Sequence, residues 1–208
     1  MPEPAALPLQ RLPRQTLHHA WAPKLGRTIV LNGVGRLRLW AMLEAHPGVT
    51  CYCERPSWPY DEKPSPCPDF WALRDGKPVW LALAEALVSG DKVPSPAEAS
   101  RVQVVPAEEL DRHRVWIGNW LSLLPYLSTT AWLDLEALSE PVAEFFRQEA
   151  SFDDAERHFV RIDPVLVRTA IVAGLHRGVL FSTELLVRPW DRQTRVVRRT
   201  GAASHAPQ

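Results

Sequence analysis

His46, Cys51, Cys53 and Cys67 are side chains of the kind that bind zinc, and they lie close together in this 208-residue chain. Structural zinc sites draw their thiolates from knuckles with two residues between the cysteines. Here a single residue separates Cys51 from Cys53, in a run VTCYCERP whose alternation reads as a strand with both thiols on one face. Buried apolar cysteines are therefore the expectation rather than metal ligands. Three cysteines are an odd count that does not suit a secreted disulfide framework, so reduced thiols are expected. His18-His19 reads as a solvated pair.

Contact with phosphate is the second chemistry the residues could support. Lys and Arg number 24 and Asp and Glu number 24, so the formal net charge is zero and no global positive field marks a purely electrostatic DNA binder. Any basic surface is local, and the densest run is Arg188, Arg192, Arg195, Arg198 and Arg199. Nine tryptophans invite base stacking, but Trp40, Trp80, Trp116, Trp120 and Trp132 fall inside apolar runs that suit a core. Trp190, beside Pro189 and Arg192, is the candidate for stacking.

These residues need elements to position them. Hydrophobic residues at 46% and charged residues at 23% match a soluble globular chain. No stretch reaches the roughly 20 apolar residues of a membrane helix, and Arg11 and Arg14 interrupt any signal pattern, so a cytoplasmic protein with no membrane partner is expected. Residues 1–28, with Pro2, Pro4, Pro8, Pro13 and Pro23, read as an extended arm. A helix follows from Gly35 with apolar Leu37, Trp40, Met42 and Leu43, stopped by Pro47-Gly48. Val49–Glu54 is a half-buried strand, and DFWAL and VWLALA flank a hairpin turn at Asp75-Gly76. A helix at Glu85–Val88 and a short strand at Val102–Val105 complete this half.

From Pro106 the pattern becomes helical. AEELDRHRVWIGNWLSLLPYL and EPVAEFFRQEA read as helices, the second started by Ser139, Glu140 and Pro141. Ser151 and Asp154 suit a capping box, and Asp163-Pro164 opens a further helix closed by Gly178. Two strand-like runs follow. Helix, turn, helix and ribbon is the order of a winged helix, a frequent nucleic-acid module that also binds proteins. If it contacts DNA, the helix after Asp163 is the reader, with Arg168, His176 and Arg177 available for phosphates and Arg192 and Arg195 in the wing.

Taken together, AMLEAHPGVTCYCERP, PDFWALRDGKPVWLALAE and the helical half resemble the TnsA-type endonuclease subunits of heteromeric transposases, from about Gly35 to Val197. The resemblance implies a restriction-endonuclease-like half: a helix, a strand, an acid-containing corner (here Glu54-Arg55-Pro56), a Pro-Asp-Phe strand (Pro68-Asp69-Phe70) and a hairpin ending in Glu-x-Lys. In such a site carboxylates hold a divalent cation, magnesium when active, and a lysine stabilises charge. The resemblance places the Glu-x-Lys positions on Leu83-Ala84-Glu85 and the helix glutamate where Arg36, Leu37 and Arg38 stand. It therefore leaves Asp69, with Glu85 and Glu44 as substitute carboxylates, as the catalytic candidates, and Asp69 and Glu85 as metal ligands.

The resulting expectation is an α+β chain: arm 1–28, a restriction-endonuclease-like mixed sheet with flanking helices over 29–110, a helical, winged-helix-like domain over 111–200 and a tail 201–208. The implied role is transposition by a catalytically degenerate subunit. It would bind transposon-end DNA, a DDE-type transposase subunit or an AAA+ ATPase regulator. An active endonuclease with a rearranged carboxylate set and a protein-binding adaptor without DNA contact are the alternatives.

Overall fold

The computed structural model describes residues 3–9, 15–59, 67–84, 102–130 and 135–199. It is a mixed α and β structure in two compact units, one of Met1–Glu44 with Gly48–Arg112, the other of Ala45–Pro47 with His113–Gln208. Among the described residues no helix is long and apolar enough to cross a membrane.

The first unit begins with a correction to the expected arm. Residues 17–32 form an antiparallel hairpin of β1 (Leu17–Ala22) and β2 (Arg27–Asn32), with Leu17 opposite Asn32 and Ala22 opposite Arg27. Pro23 sits in the turn rather than in a strand, where its missing N–H costs no ladder bond. Gly26 closes the turn at φ 61, its N–H donating to the Ala22 carbonyl. Ile29 and Leu31 alternate inward, which is why a segment read as irregular pairs as a strand.

Helix α1 (Gly33–Ala45) buries Leu39, Trp40, Ala41 and Leu43 and stops before Pro47. Strands β3 (Val49–Glu54), β4 (Phe70–Arg74), β5 (Lys77–Leu83) and β6 (Val102–Val105) form one sheet in that order. The first two pairings run antiparallel, and β6 joins β5 in parallel. Asp75 and Gly76 both take positive φ, 50 and 73, the backbone a tight two-residue hairpin needs. The expected half-buried β3 leaves Thr50 exposed but is covered on both faces from Tyr52 on, because Tyr52 and Glu54 are as inaccessible as Cys53. The expected helix at Glu85–Val88 lies outside the described residues. Helix α2 (Ala107–Arg112) ends the unit.

The second unit contains α3 (Arg114–Thr129), α4 (Glu136–Phe145), β7 (Ala150–Ser151), α5 (Phe152–His158), α6 (Pro164–His176), β8 (Leu180–Phe181), α7 (Glu184–Val187) and β9 (Arg195–Arg198). Its three short strands lie in the order β7-β9-β8. Ser151 and Asp154 form the expected capping box at α5, and the Asp163 carboxylate accepts from the Val165 N–H at the start of α6. Gly178, at φ 74, ends that helix. Helix α4 departs from expectation at both ends. It starts a turn before Ser139, with the Leu135 carbonyl accepting from the Leu138 and Ser139 N–H groups, and it ends at Phe145 because Ala150–Ser151 leaves to pair with β9.

Candidate functional site

Asp69 is the residue around which the chain's chemistry was expected to assemble, and local backbone fixes it first. Its N–H donates to the Leu81 carbonyl and its carbonyl accepts from the Arg55 N–H, both at 2.8 Å, which locks the entry to β4 between its neighbours. The side chain is 6% exposed. Oδ1 accepts from Arg36 Nε at 2.6 Å, and Oδ2 accepts from the Leu83 N–H at 2.7 Å. Arg36, on the first turn of α1, also donates to the Asn32 carbonyl at 3.2 Å. A charge-assisted bond of this length ties helix to sheet and neutralises the carboxylate. Leu83 thus contributes a backbone donor, and Glu85 lies outside the described residues.

Glu44 does not join Asp69. Eight residues separate it from Arg36 along α1, a rise of roughly 12 Å at 1.5 Å per residue. Glu44 is fully buried, and its Oε1 accepts from Tyr52 Oη at 2.6 Å and from the Lys24 N–H at 3.3 Å. Tyr52 Oη in turn accepts from Trp40 Nε1 at 2.7 Å. Burial, reinforced by the Glu44 charge, holds the Tyr52 phenol far above its ordinary range. Lys24 donates from Nζ to the Leu43 carbonyl at 2.7 Å, and burial, only partly offset by Glu44, lowers its ammonium to about 8. This carboxylate, with no exposure, joins α1 to the Tyr52 phenol on β3 and to the β1–β2 turn, and the structure does not bring it to Asp69.

Glu54 is the third buried acid of the unit, and Arg27 grips it through two bonds of 2.8 and 2.7 Å. Arg55 Nη2 lies 3.5 Å from the same carboxylate. Arg55 itself is held at φ 48, unusual for a branched-off side chain outside glycine, and donates to the Val30 carbonyl at 2.6 Å and the Leu7 carbonyl at 3.1 Å. Arg27, Arg36 and Arg55 escaped the sequence reading. The signal that could have found them is the cost of burying an acid, which demands a cation nearby.

Cys53 and the half-buried Cys51 follow the apolar reading, and Cys67 departs from it. Cys53 packs with Trp71, Trp80, Ala82 and Val102, and Cys51 and Trp58 lie against that cluster. Burial, with the nearby Glu54 charge, pushes the Cys53 thiol up to about 11, away from the thiolate a metal needs. Cys67 is exposed. His46 falls in the other unit. Among the described residues no three His, Cys, Asp or Glu side chains gather as a metal site.

Of the proposed phosphate contacts in the second unit, Arg168 and Arg192 are engaged internally through their guanidinium groups. Arg168 forms a forked pair with Glu156, including Nη2 to Oε2 at 3.1 Å, and Arg192 Nη2 reaches the same Oε2 at 2.5 Å. Those bonds lower the Glu156 carboxyl, Arg168 first, and raise the Arg168 guanidinium. The Arg195 backbone N–H donates to Glu184 at 2.7 Å, and Arg177 donates from its side chain to Ser139 Oγ at 3.1 Å. His176 lies beside Trp120, with ring centres 6.1 Å apart. Trp190 is a packing residue: its ring lies 5.7 Å from Phe152 and 6.2 Å from Tyr126, and its N–H donates to Asn119 Oδ1 at 2.8 Å. The buried Asn119 amide also donates to the Leu185 and Arg188 carbonyls, so one α3 side chain pins α7 and the start of the connection to β9.

Comparison of the sequence with models of known protein families and with curated proteins gives no match.

Proposed function

We propose that this chain is a TnsA-like transposition subunit whose nuclease-like half has given up metal catalysis and which acts by binding. The observation that carries the reading is the Arg36–Asp69 pair. An arginine stands where the resemblance calls for a metal-binding glutamate, and its guanidinium rests on the one retained carboxylate at 2.6 Å. A cation of the protein's own replaces the cation a nuclease would bind, while Leu83 offers an N–H instead of a carboxylate. Magnesium needs one or two carboxylates with oxygen ligands in near-octahedral order, and the described residues around Asp69 do not fit it.

The restriction-endonuclease-like reading of the first unit is supported by its order: a helix, three antiparallel strands, and a fourth strand in parallel with the third. A winged-helix reading of the second is supported by α4, β7, α5, α6, β8 and β9 with strand order β7-β9-β8, with α6 as the helix that would face a partner. For that helix, contact with protein is favoured over contact with DNA. Arg168 and Arg192 share Glu156, which commits the α6 guanidinium and one wing guanidinium inside the domain. The partners proposed are a DDE-type transposase subunit and an AAA+ regulator, with transposon-end DNA as the second target.

The test is cleavage of supercoiled and end-containing DNA with magnesium or manganese, with and without the candidate transposase, beside Asp69→Ala. No cutting by either protein is expected. Cutting that disappears in Asp69→Ala, with the variant's circular dichroism unchanged, overturns the reading in favour of a living nuclease. End binding that weakens steeply with salt would identify DNA contact, and a flat response the protein-binding role.

A further inference from the structure

We infer that Lys24, in the β1–β2 turn, is a site of covalent acylation by an activated acyl group, carried as an acyl phosphate or an acyl thioester. The turn lays this lysine over the end of α1. Its Nζ donates to the Leu43 carbonyl at 2.7 Å, and its backbone N–H donates to Glu44 Oε1 at 3.3 Å. Leu43 lies in the last turn of α1, and the residue four places on is Pro47, which has no N–H to give its carbonyl. The lysine amine fills that place from another element. Behind it, Tyr52 donates to Glu44 and Trp40 donates to Tyr52, so the amine rests on a fixed surface whose ionisable groups are Glu44 from α1 and Tyr52 from β3. Lys24 is half-buried rather than sealed. Two residues on, Gly26 is exposed, and a side chain there would meet nothing within 4 Å, so the turn has an open side.

Burial makes this amine a nucleophile. It falls from 10.5 to about 8, so near neutral pH roughly 200 times more of it is uncharged than of an ordinary lysine. The site also selects the electrophile. An acyl group leaves a neutral amide whose N–H still serves the Leu43 carbonyl. An aldehyde would leave an imine with no N–H, and carbon dioxide would leave a carbamate whose negative charge lies near the buried Glu44. In the step, Nζ attacks the acyl carbon and an N–C bond forms. The C–O or C–S bond breaks, phosphate or thiolate leaves with the electron pair, and the amine's proton passes to water.

The full chain is treated separately with acetyl phosphate and with acetyl-coenzyme A. Acetylation at Lys24 and at Lys77, exposed on β5, is followed by quantitative peptide mass spectrometry. Lys24 is expected to react about tenfold faster than Lys77, less than its excess of neutral amine, because a less basic and half-covered amine is a weaker nucleophile. Its rate should level off above pH about 8 while that of Lys77 still climbs, and unfolding in urea should abolish the difference. Reaction with one donor or with both supports the inference and names the acyl source. Lys24 reacting no faster than Lys77 in the folded chain, an excess that survives in urea, or no reaction with either donor overturns it.

Discussion

In the first unit the acids Glu44, Glu54 and Asp69 are sealed from water beneath their partners, whereas in the second most acid–arginine pairs lie at the surface, Glu156 being the buried exception. The same residue types thus do different work. In the sealed unit a pair fixes which helix meets which strand, because a buried charge without its partner is costly. At the surface, water and salt screen each pair, and its partners can be exchanged for those of another molecule. A metal or substrate reaching Asp69 has to displace the Arg36 guanidinium first.

Arg36→Ala breaks the sealed side of this comparison most strongly. It leaves Asp69 buried with the Leu83 N–H as its remaining donor, and urea unfolding should register a loss of about 3 kcal/mol, the low end of the range for a broken buried pair because Arg36 keeps some solvent contact. Tyr52→Phe should cost about 1–3 kcal/mol in the same experiment, since it removes the hydroxyl that satisfies both Glu44 and Trp40.

The pH response sharpens the contrast. Lys24 falls from an ordinary 10.5 to about 8 in the folded protein, so between those values the unfolded chain holds a proton the folded chain has released. Stability from this group therefore rises with pH from about 8 to 10.5. Cys53 and Tyr52, both raised, work in the opposite direction at the alkaline end, so the quantity to measure is the native protein minus Lys24→Met, and that difference should climb through the window. Arg157→Ala removes an exposed cation paired with Asp153 and Asp154, and thermal melting should detect no change beyond a small one at low salt. A large effect there would erase the distinction between the two units.

Much of the local structure was legible. Asp75-Gly76 between two apolar runs gave the β4–β5 hairpin, Ser151 with Asp154 gave a capping box, and Asp163-Pro164 and Gly178 bracketed α6. The β1–β2 hairpin was missed because prolines dominate the first residues, although Ile29 and Leu31 carried the strand period. Pro141 misled in the other direction, since the Leu135 carbonyl starts α4 before it.

The candidate site divides along the same line. Sequence alone placed Asp69 at the start of a hairpin strand, made Leu83 a non-ligand and read the cysteines as apolar, because each depends on residue type and near neighbours. That Arg36 neutralises Asp69 across 33 residues, that Glu44 serves Tyr52, and that Glu156 gathers Arg168 and Arg192 was decided by tertiary structure. The physical reason is that a charged side chain's partner is set by which elements burial brings together, and a single sequence carries no local period for that choice.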